Sequence, residues 1–160
     1  MLIAGIDPGL FITGYGIIGK DERNLTLIDA GVVQNNRRSP LEQRLKKLFN
    51  GVNELLKSEK PAVVVVEELY LHYKHPHTAV LMGHARGIIY LVSAMNNMPV
   101  FSFKPTHIKK AVTGNGHASK EQICSSICSM FGLKKFKGLM DVTDALAVAV
   151  AYAHTILSTK

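Results

Sequence analysis

Four consecutive valines, Val63–Val66, run directly into a pair of glutamates, Glu67 and Glu68. This junction constrains the fold more than any other stretch. A continuous β-branched run from Ala62 to Val66 reads as a central strand buried on both faces, which requires helices above and below a sheet. The rest of the chain supplies them. Leu2–Ile6, Ile12–Ile18 and Leu25–Val33 read as three strands of an antiparallel meander, broken by Asp7-Pro8-Gly9 and by a polar turn at Lys20–Asn24. Ser39-Pro40-Leu41-Glu42 reads as a capping box with proline at the first helical position. Leu41, Leu45, Leu48, Phe49, Val52, Leu55 and Leu56 then keep the helical period until Lys60-Pro61. Thr78–Met95 reads as a second helix and Pro99–Phe103 as a fifth strand. Pro105–Val112 is a short helix. A helix capped by Ser119 and Gln122 runs to about Phe131, and an alanine-rich helix from Val142 to Leu157 closes the chain. The order implies an α/β layer fold around one central five-stranded mixed sheet with helices on both faces. A length of 160 residues suits a single domain, 1–160, with no repeat or linker.

Composition excludes several classes. With 47% hydrophobic and 19% charged residues the chain is globular, not disordered. No apolar run approaches the roughly 20 residues of a membrane span. The N-terminus meets an acid at Asp7 and lacks a signal-peptide pattern, so a cytoplasmic protein is expected. Two cysteines, Cys124 and Cys128, cannot build a disulfide framework, and their spacing makes them small apolar residues on one helix face. The net charge is +7 and is unevenly placed. Between His72 and Lys137 lie Lys74, Arg86, Lys104, Lys109, Lys110, Lys120, Lys134, Lys135 and Lys137, against Glu121 as the only acid. Such a segment suits a polyanion such as nucleic acid, or is simply a solvated basic face.

Four acids occupy costly positions. Asp7 closes the first strand, Glu67 closes the buried strand, and Asp141 and Asp144 share one face at the start of the last helix. Converging at one edge of the sheet, they would repel one another unless a cation neutralised them. Oxygen-only ligands select Mg²⁺ or Mn²⁺, and two ions about 4 Å apart suit phosphodiester hydrolysis. Each acid also has a plainer reading: Asp7 as a turn residue, Asp141 as a helix N-cap, Asp144 as a first-turn acid favoured by the helix dipole. Glu67 is the hardest to explain that way. Glu68 is expected to face the opposite side. His72, His75 and His77 invite a zinc reading, but no cysteine lies near them and their spacing fits no common structural zinc site.

The motifs together resemble a known family. Gly5-Ile6-Asp7-Pro8-Gly9 with Thr13-Gly14-Tyr15-Gly16, Val66-Glu67-Glu68-Leu69-Tyr70, Gly83-His84-Ala85-Arg86-Gly87, and Asp141-Val142-Thr143-Asp144-Ala145-Leu146-Ala147 resemble, in order, the motifs of bacterial RuvC-type Holliday-junction endonucleases. The resemblance runs from about Leu2 to about His154. It implies a ribonuclease-H-like fold with Asp7, Glu67, Asp141 and Asp144 as catalytic, metal-binding acids. It further implies two Mg²⁺ ions per subunit, with Mn²⁺ as a substitute. Tyr70 matches an aromatic that stacks on a base near the crossover. Lys109, Lys110 and Lys120 are candidate DNA contacts. The family is a homodimer, and the helix carrying Gly83, Ala85 and Gly87 is the candidate interface. Four-way junction DNA is the implied substrate, and the RuvA–RuvB branch-migration complex an implied partner. Asp7-x-Gly9 also resembles the phosphate loop of sugar-kinase and actin-like ATPases, whose two domains exceed this length. The residues also leave open a ribonuclease-H-fold enzyme acting on RNA and a non-catalytic junction-binding protein.

Overall fold

The computed structural model describes residues 1–22, 24–69, 76–134 and 139–156. Its strands are β1 (Leu2–Asp7), β2 (Ile12–Asp21), β3 (Asn24–Gln34), β4 (Val63–Glu67) and β5 (Val100–Phe103). Its helices are α1 (Leu41–Glu59), α2 (Pro76–Met95), α3 (Pro105–Thr113), α4 (Lys120–Phe131) and α5 (Leu139–Thr155). The five strands form one sheet in the order β3-β2-β1-β4-β5. β1, β2 and β3 make the antiparallel meander, with a bulge between Ile17 and Ile18. β4 joins β1 and β5 in parallel. A parallel neighbour needs a crossover connection, and α1 and α2 serve as the two crossovers.

The valine run behaves as its composition demands. Val63–Val66 are at most 2% exposed, alternating between two cores. Ile3, Val63 and Val65 pack with α3, α4 and α5 on one face. Ala4, Ile6, Val64 and Val66 pack with α1 and α2 on the other. This confirms a mixed sheet covered on both sides.

Helix ends are where sequence and structure differ most. The capping box at Ser119 forms as read: its Oγ accepts from Gln122 N, and Gln122 Oε1 accepts from Ser119 N. The box at Ser39 does not. Pro40, extended at ψ 156°, is itself the last residue before the α1 helix, and no side chain caps it. Ser39 therefore sits one residue too far from the free amides to reach them. α1 stops at Lys60, which turns left-handed (φ 49°) ahead of Pro61. α5 begins at Leu139, three residues earlier than expected, so Asp141 lies inside the first turn rather than capping it.

Helix α2 corrects a second expectation. Over His77–Met95 it is long and apolar enough, by length and composition, to cross a membrane. The stretch holds no unbroken apolar run of that length, because His84 and Arg86 interrupt it. Ala85, Ile89 and Val92 face the core, while Val80, Leu91 and Met95 are 60%, 51% and 61% exposed. The helix is thus apolar on both sides, with one side uncovered in the single chain.

Candidate active site

The sheet register places the first two acids. Ile6 pairs with Val66, and Asp7 and Glu67 follow one residue later at the ends of the neighbouring strands β1 and β4. Alternation along each strand sends both side chains to the α5 side, because Ile6 and Val66 point to the α1/α2 core. The turn after Asp7 is fixed by Thr13, which is 1% exposed. Its hydroxyl donates to Gly9 O at 2.6 Å and accepts from Gly9 N at 3.1 Å.

The other two acids arrive on α5, brought close by missing side chains. A Cβ on Gly14 would fall within contact distance of the Asp141 carbonyl, and one on Gly5 would lie 2.9 Å from Ala149 Cβ. With hydrogen atoms at these positions, and Ala145 and Ala149 facing Gly5, α5 lies flat across β1 and β2. Asp141 and Asp144 then stand over the strand ends.

A cleft of about 580 Å³ results, lined by all four acids together with Glu68, Arg86, Lys109 and Lys120. β4 ends at Glu67, one residue before Glu68. Glu68 borders both this cleft and an adjoining groove lined by Lys104, His107 and Lys110. Of the three predicted DNA-contacting lysines, Lys109 and Lys120 therefore border the acids and Lys110 lies in the neighbouring groove. Lys120 makes an ion pair with Asp144 at 3.1 Å.

The electrostatics are those of crowded anions. Burial, followed by the charges of Asp144 and Glu67, raises the Asp7 pKa from 3.8 to about 7, against the opposing pull of Lys120. Glu67 is also pushed up, first by burial and then by Asp144, while Lys120, Lys109 and Arg86 oppose the shift. Asp144 holds the Lys120 ammonium above its ordinary value. Among the described residues, no three His, Cys, Asp or Glu side chains stand as a ready-made metal cage. The donor set still fits a hard divalent cation. It is all carboxylate oxygen, and the raised affinity of Asp7 and Glu67 for protons is a demand for positive charge that such a cation meets.

The remaining predicted residues separate. Tyr70, His72 and His75 lie outside the described residues. His77 is exposed on α2. Gly83 and Gly87 face open space, but Ala85 is fully buried in the α1/α2 core, so it cannot belong to an exposed face. The alternation of helix faces explains this, since Ala85 shares its side with Ile89 and Val92. Sequence reasoning misses two participants: Thr13, which clamps the Asp7 turn, and Arg86, which donates to the backbone carbonyl of Glu67. An arginine inside an otherwise apolar helix is the signal that marks Arg86.

A family model described as crossover junction endodeoxyribonuclease RuvC matches residues 3–152. The chain belongs to the RuvC family. It is 40% identical over 148 residues to the RuvC of Rhodopirellula baltica, covering 92% of this chain and 83% of that one. It is 43% identical over 151 residues to the RuvC of Carboxydothermus hydrogenoformans, covering 94% of each. Among solved structures it is similar to T. thermophilus RuvC in complex with a Holliday junction substrate, with TM-score 0.91 and 29% identity over 99% of this chain and 96% of that one. RuvC proteins are metal-dependent nucleases with a ribonuclease-H-like fold. RuvC membership sets aside the sugar-kinase reading of Asp7-x-Gly9.

Proposed function

We propose that the chain is a structure-selective endodeoxyribonuclease that resolves four-way Holliday junctions in homologous recombination and DNA repair. It does so by paired, symmetric, metal-dependent nicks that leave ligatable 5′-phosphate and 3′-hydroxyl ends. The observation that carries this is the convergence of Asp7, Glu67, Asp141 and Asp144 on one cleft in a RuvC-family chain. On this reading residues 1–160 act as one ribonuclease-H-like nuclease domain in the cytoplasm.

Asp7, Glu67, Asp141 and Asp144 would hold two Mg²⁺ ions, with Mn²⁺ as a substitute, which would supply water activation and charge neutralisation at the leaving oxygen. The protein's own residues do the rest. Lys109 and Lys120, at the rim of the acids, draw the scissile phosphate towards the carboxylates, and Lys110 receives the backbone in the adjoining groove. Lys120 opens α4, where free amides also favour an anion. Tyr70 stacks on a base beside the cut. Junctions are selected mainly through branched shape and deformability.

Two symmetric nicks call for two sites related by a two-fold axis. The uncovered apolar side of α2, around Gly83 and Gly87, is the surface a second copy would cover, with Val80, Leu91 and Met95 at its centre. The RuvA–RuvB branch-migration complex is the proposed partner.

The test is cleavage of a synthetic four-way junction, beside linear duplex and RNA–DNA hybrid, in Mg²⁺ or EDTA. Paired, junction-confined, Mg²⁺-dependent nicks support the reading. Junction binding without cleavage in either Mg²⁺ or Mn²⁺ would make the protein a binder, and cleavage of the hybrid alone would make it an RNA-directed nuclease. Sedimentation of the free protein tests the second copy.

A further inference from the structure

Arg86 is engaged on three sides. It leaves α2 and reaches the end of β4, where Nη1 donates to the carbonyl oxygen of Glu67. Nη2 donates to Tyr90 Oη and to Ser102 Oγ, both at 2.8 Å. Those two hydroxyls lie 2.8 Å from each other. The guanidinium carbon stands 5.1 Å from the centre of the Tyr90 ring. The fork therefore joins three elements: α2, β5 through Ser102, and β4 at its last residue.

The bonding pattern argues against a simple role in gripping DNA. Both hydrogens of Nη2 and one of the two on Nη1 are already donated within the protein. A guanidinium held this way is a bracket. Its point of attachment matters, because Glu67 is where the sheet ends. β4 stops there, and beyond it the chain runs on through Glu68, whose amide donates to Phe103 O at 2.8 Å. The backbone of Glu67 is thus held from β5 by the sheet and from α2 by Arg86. Its carboxylate hangs from a main chain that has little freedom to turn.

We propose that Arg86 is a positioning residue for the nuclease reaction: by bonding the Glu67 carbonyl and anchoring on Tyr90 and Ser102, it fixes the direction in which the Glu67 carboxylate meets the metal. This rests on the reading of Glu67 as a metal ligand. Groups that orient a ligand without touching the metal typically change metal affinity by about 10- to 100-fold when removed.

The experiment measures Mn²⁺ binding directly, by electron paramagnetic resonance of free Mn²⁺, and single-turnover junction cleavage across a Mg²⁺ series. Junction affinity is measured in EDTA. Arg86→Met should weaken Mn²⁺ binding by about tenfold or more and raise the half-saturating Mg²⁺ for cleavage in parallel. Cleavage should return at high metal, and junction affinity in EDTA should stay unchanged. Tyr90→Phe and Ser102→Ala keep the arginine and remove one anchor each, so they should shift the metal dependence the same way by less. They also serve if Arg86→Met fails to fold. Arg86→Lys should recover part of the loss. Unchanged Mn²⁺ binding in Arg86→Met, or in both anchor variants if Arg86→Met does not fold, would overturn the proposal. So would a loss of junction affinity in EDTA, which would make Arg86 a DNA contact. Glu67→Gln separates this from the site itself: if it binds Mn²⁺ and cleaves as the parent does, the metal-ligand reading fails whatever Arg86 does.

Discussion

The two faces of the sheet meet their helices at different distances. Beneath α5 the sheet contributes glycine and the helix contributes alanine: Gly5 and Gly14 meet a helix whose Ala145, Ala147, Ala149, Ala151 and Ala153 are at most 1% exposed. Backbone lies almost on backbone, so α5 has little room to shift. Beneath α1 and α2 the contact is made by large side chains, with Leu48, Leu56, Ile6, Ile17 and Ile89 all fully buried. The contrast shows where this fold needs accuracy. The face that carries the four carboxylates is the one where glycine and alanine let a helix backbone meet the sheet, beside large side chains such as Ile3, Ile18, Ile127 and Leu146. The opposite face is filled with large aliphatic chains, and its α2 also brings Arg86 to the end of β4.

The contrast can be broken at its functional end first. Asp7→Asn should lower junction cleavage by about three orders of magnitude, several kcal/mol of barrier, with junction binding retained in a mobility-shift assay. On the aliphatic face, Leu48→Ala should destabilise by about 2–5 kcal/mol, read from denaturant melts, by opening a cavity. On the glycine face the sign of the volume change reverses. Gly14→Ala adds one methyl and should still destabilise by about 1–3 kcal/mol, because the Asp141 backbone has to retreat. It should also slow cleavage, whereas Leu48→Ala should leave the cleavage rate of the folded protein near its original value.

A pH series sharpens the same comparison. The folded chain holds the Asp7 proton more tightly than the unfolded chain, since the pKa rises from 3.8 to about 7. The stability this group contributes is full below about pH 3.8, falls as pH rises towards about 7, and levels off above it. In EDTA, melts should show this loss between pH 4 and pH 7. Asp7→Asn should flatten it, and Mg²⁺ at pH 8 should reverse it. The smallest effect belongs to the open side of α2. Gly83→Ala meets nothing within 4 Å and should stabilise the single chain by about 1 kcal/mol through helix propensity. Sedimentation of the same variant reports whether the added methyl disturbs a second copy.

Much of this architecture is legible from local pattern. The valine run identifies the centre of the sheet, the meander follows from three short alternating strands, and Asp7 and Glu67 stand out as acids where acids are costly. Their meeting is not legible locally. It depends on the parallel pairing of Ile6 with Val66, sixty residues apart in the chain. Gly5 and Gly14 give no hint in the sequence of the helix that covers them. Ala85 looks equivalent to Gly83 and Gly87 until the helix is wound and it turns inward. Ser39 carries the right residues for a cap, yet the extended Pro40 moves the helix start past its reach. In each case a short-range rule holds and a longer-range contact decides.

The pairing of β1 with β4 also bears on how the chain comes into being. Parallel strands cannot close as a hairpin, so the meander must wait for α1 and the valine strand before Asp7 gains a neighbour in Glu67. During synthesis the first acid emerges long before the last two. A half-made or truncated chain carries carboxylates with nothing to hold them together. On the proposed reading of the four acids, the site is complete only once α5 has packed over the closed sheet.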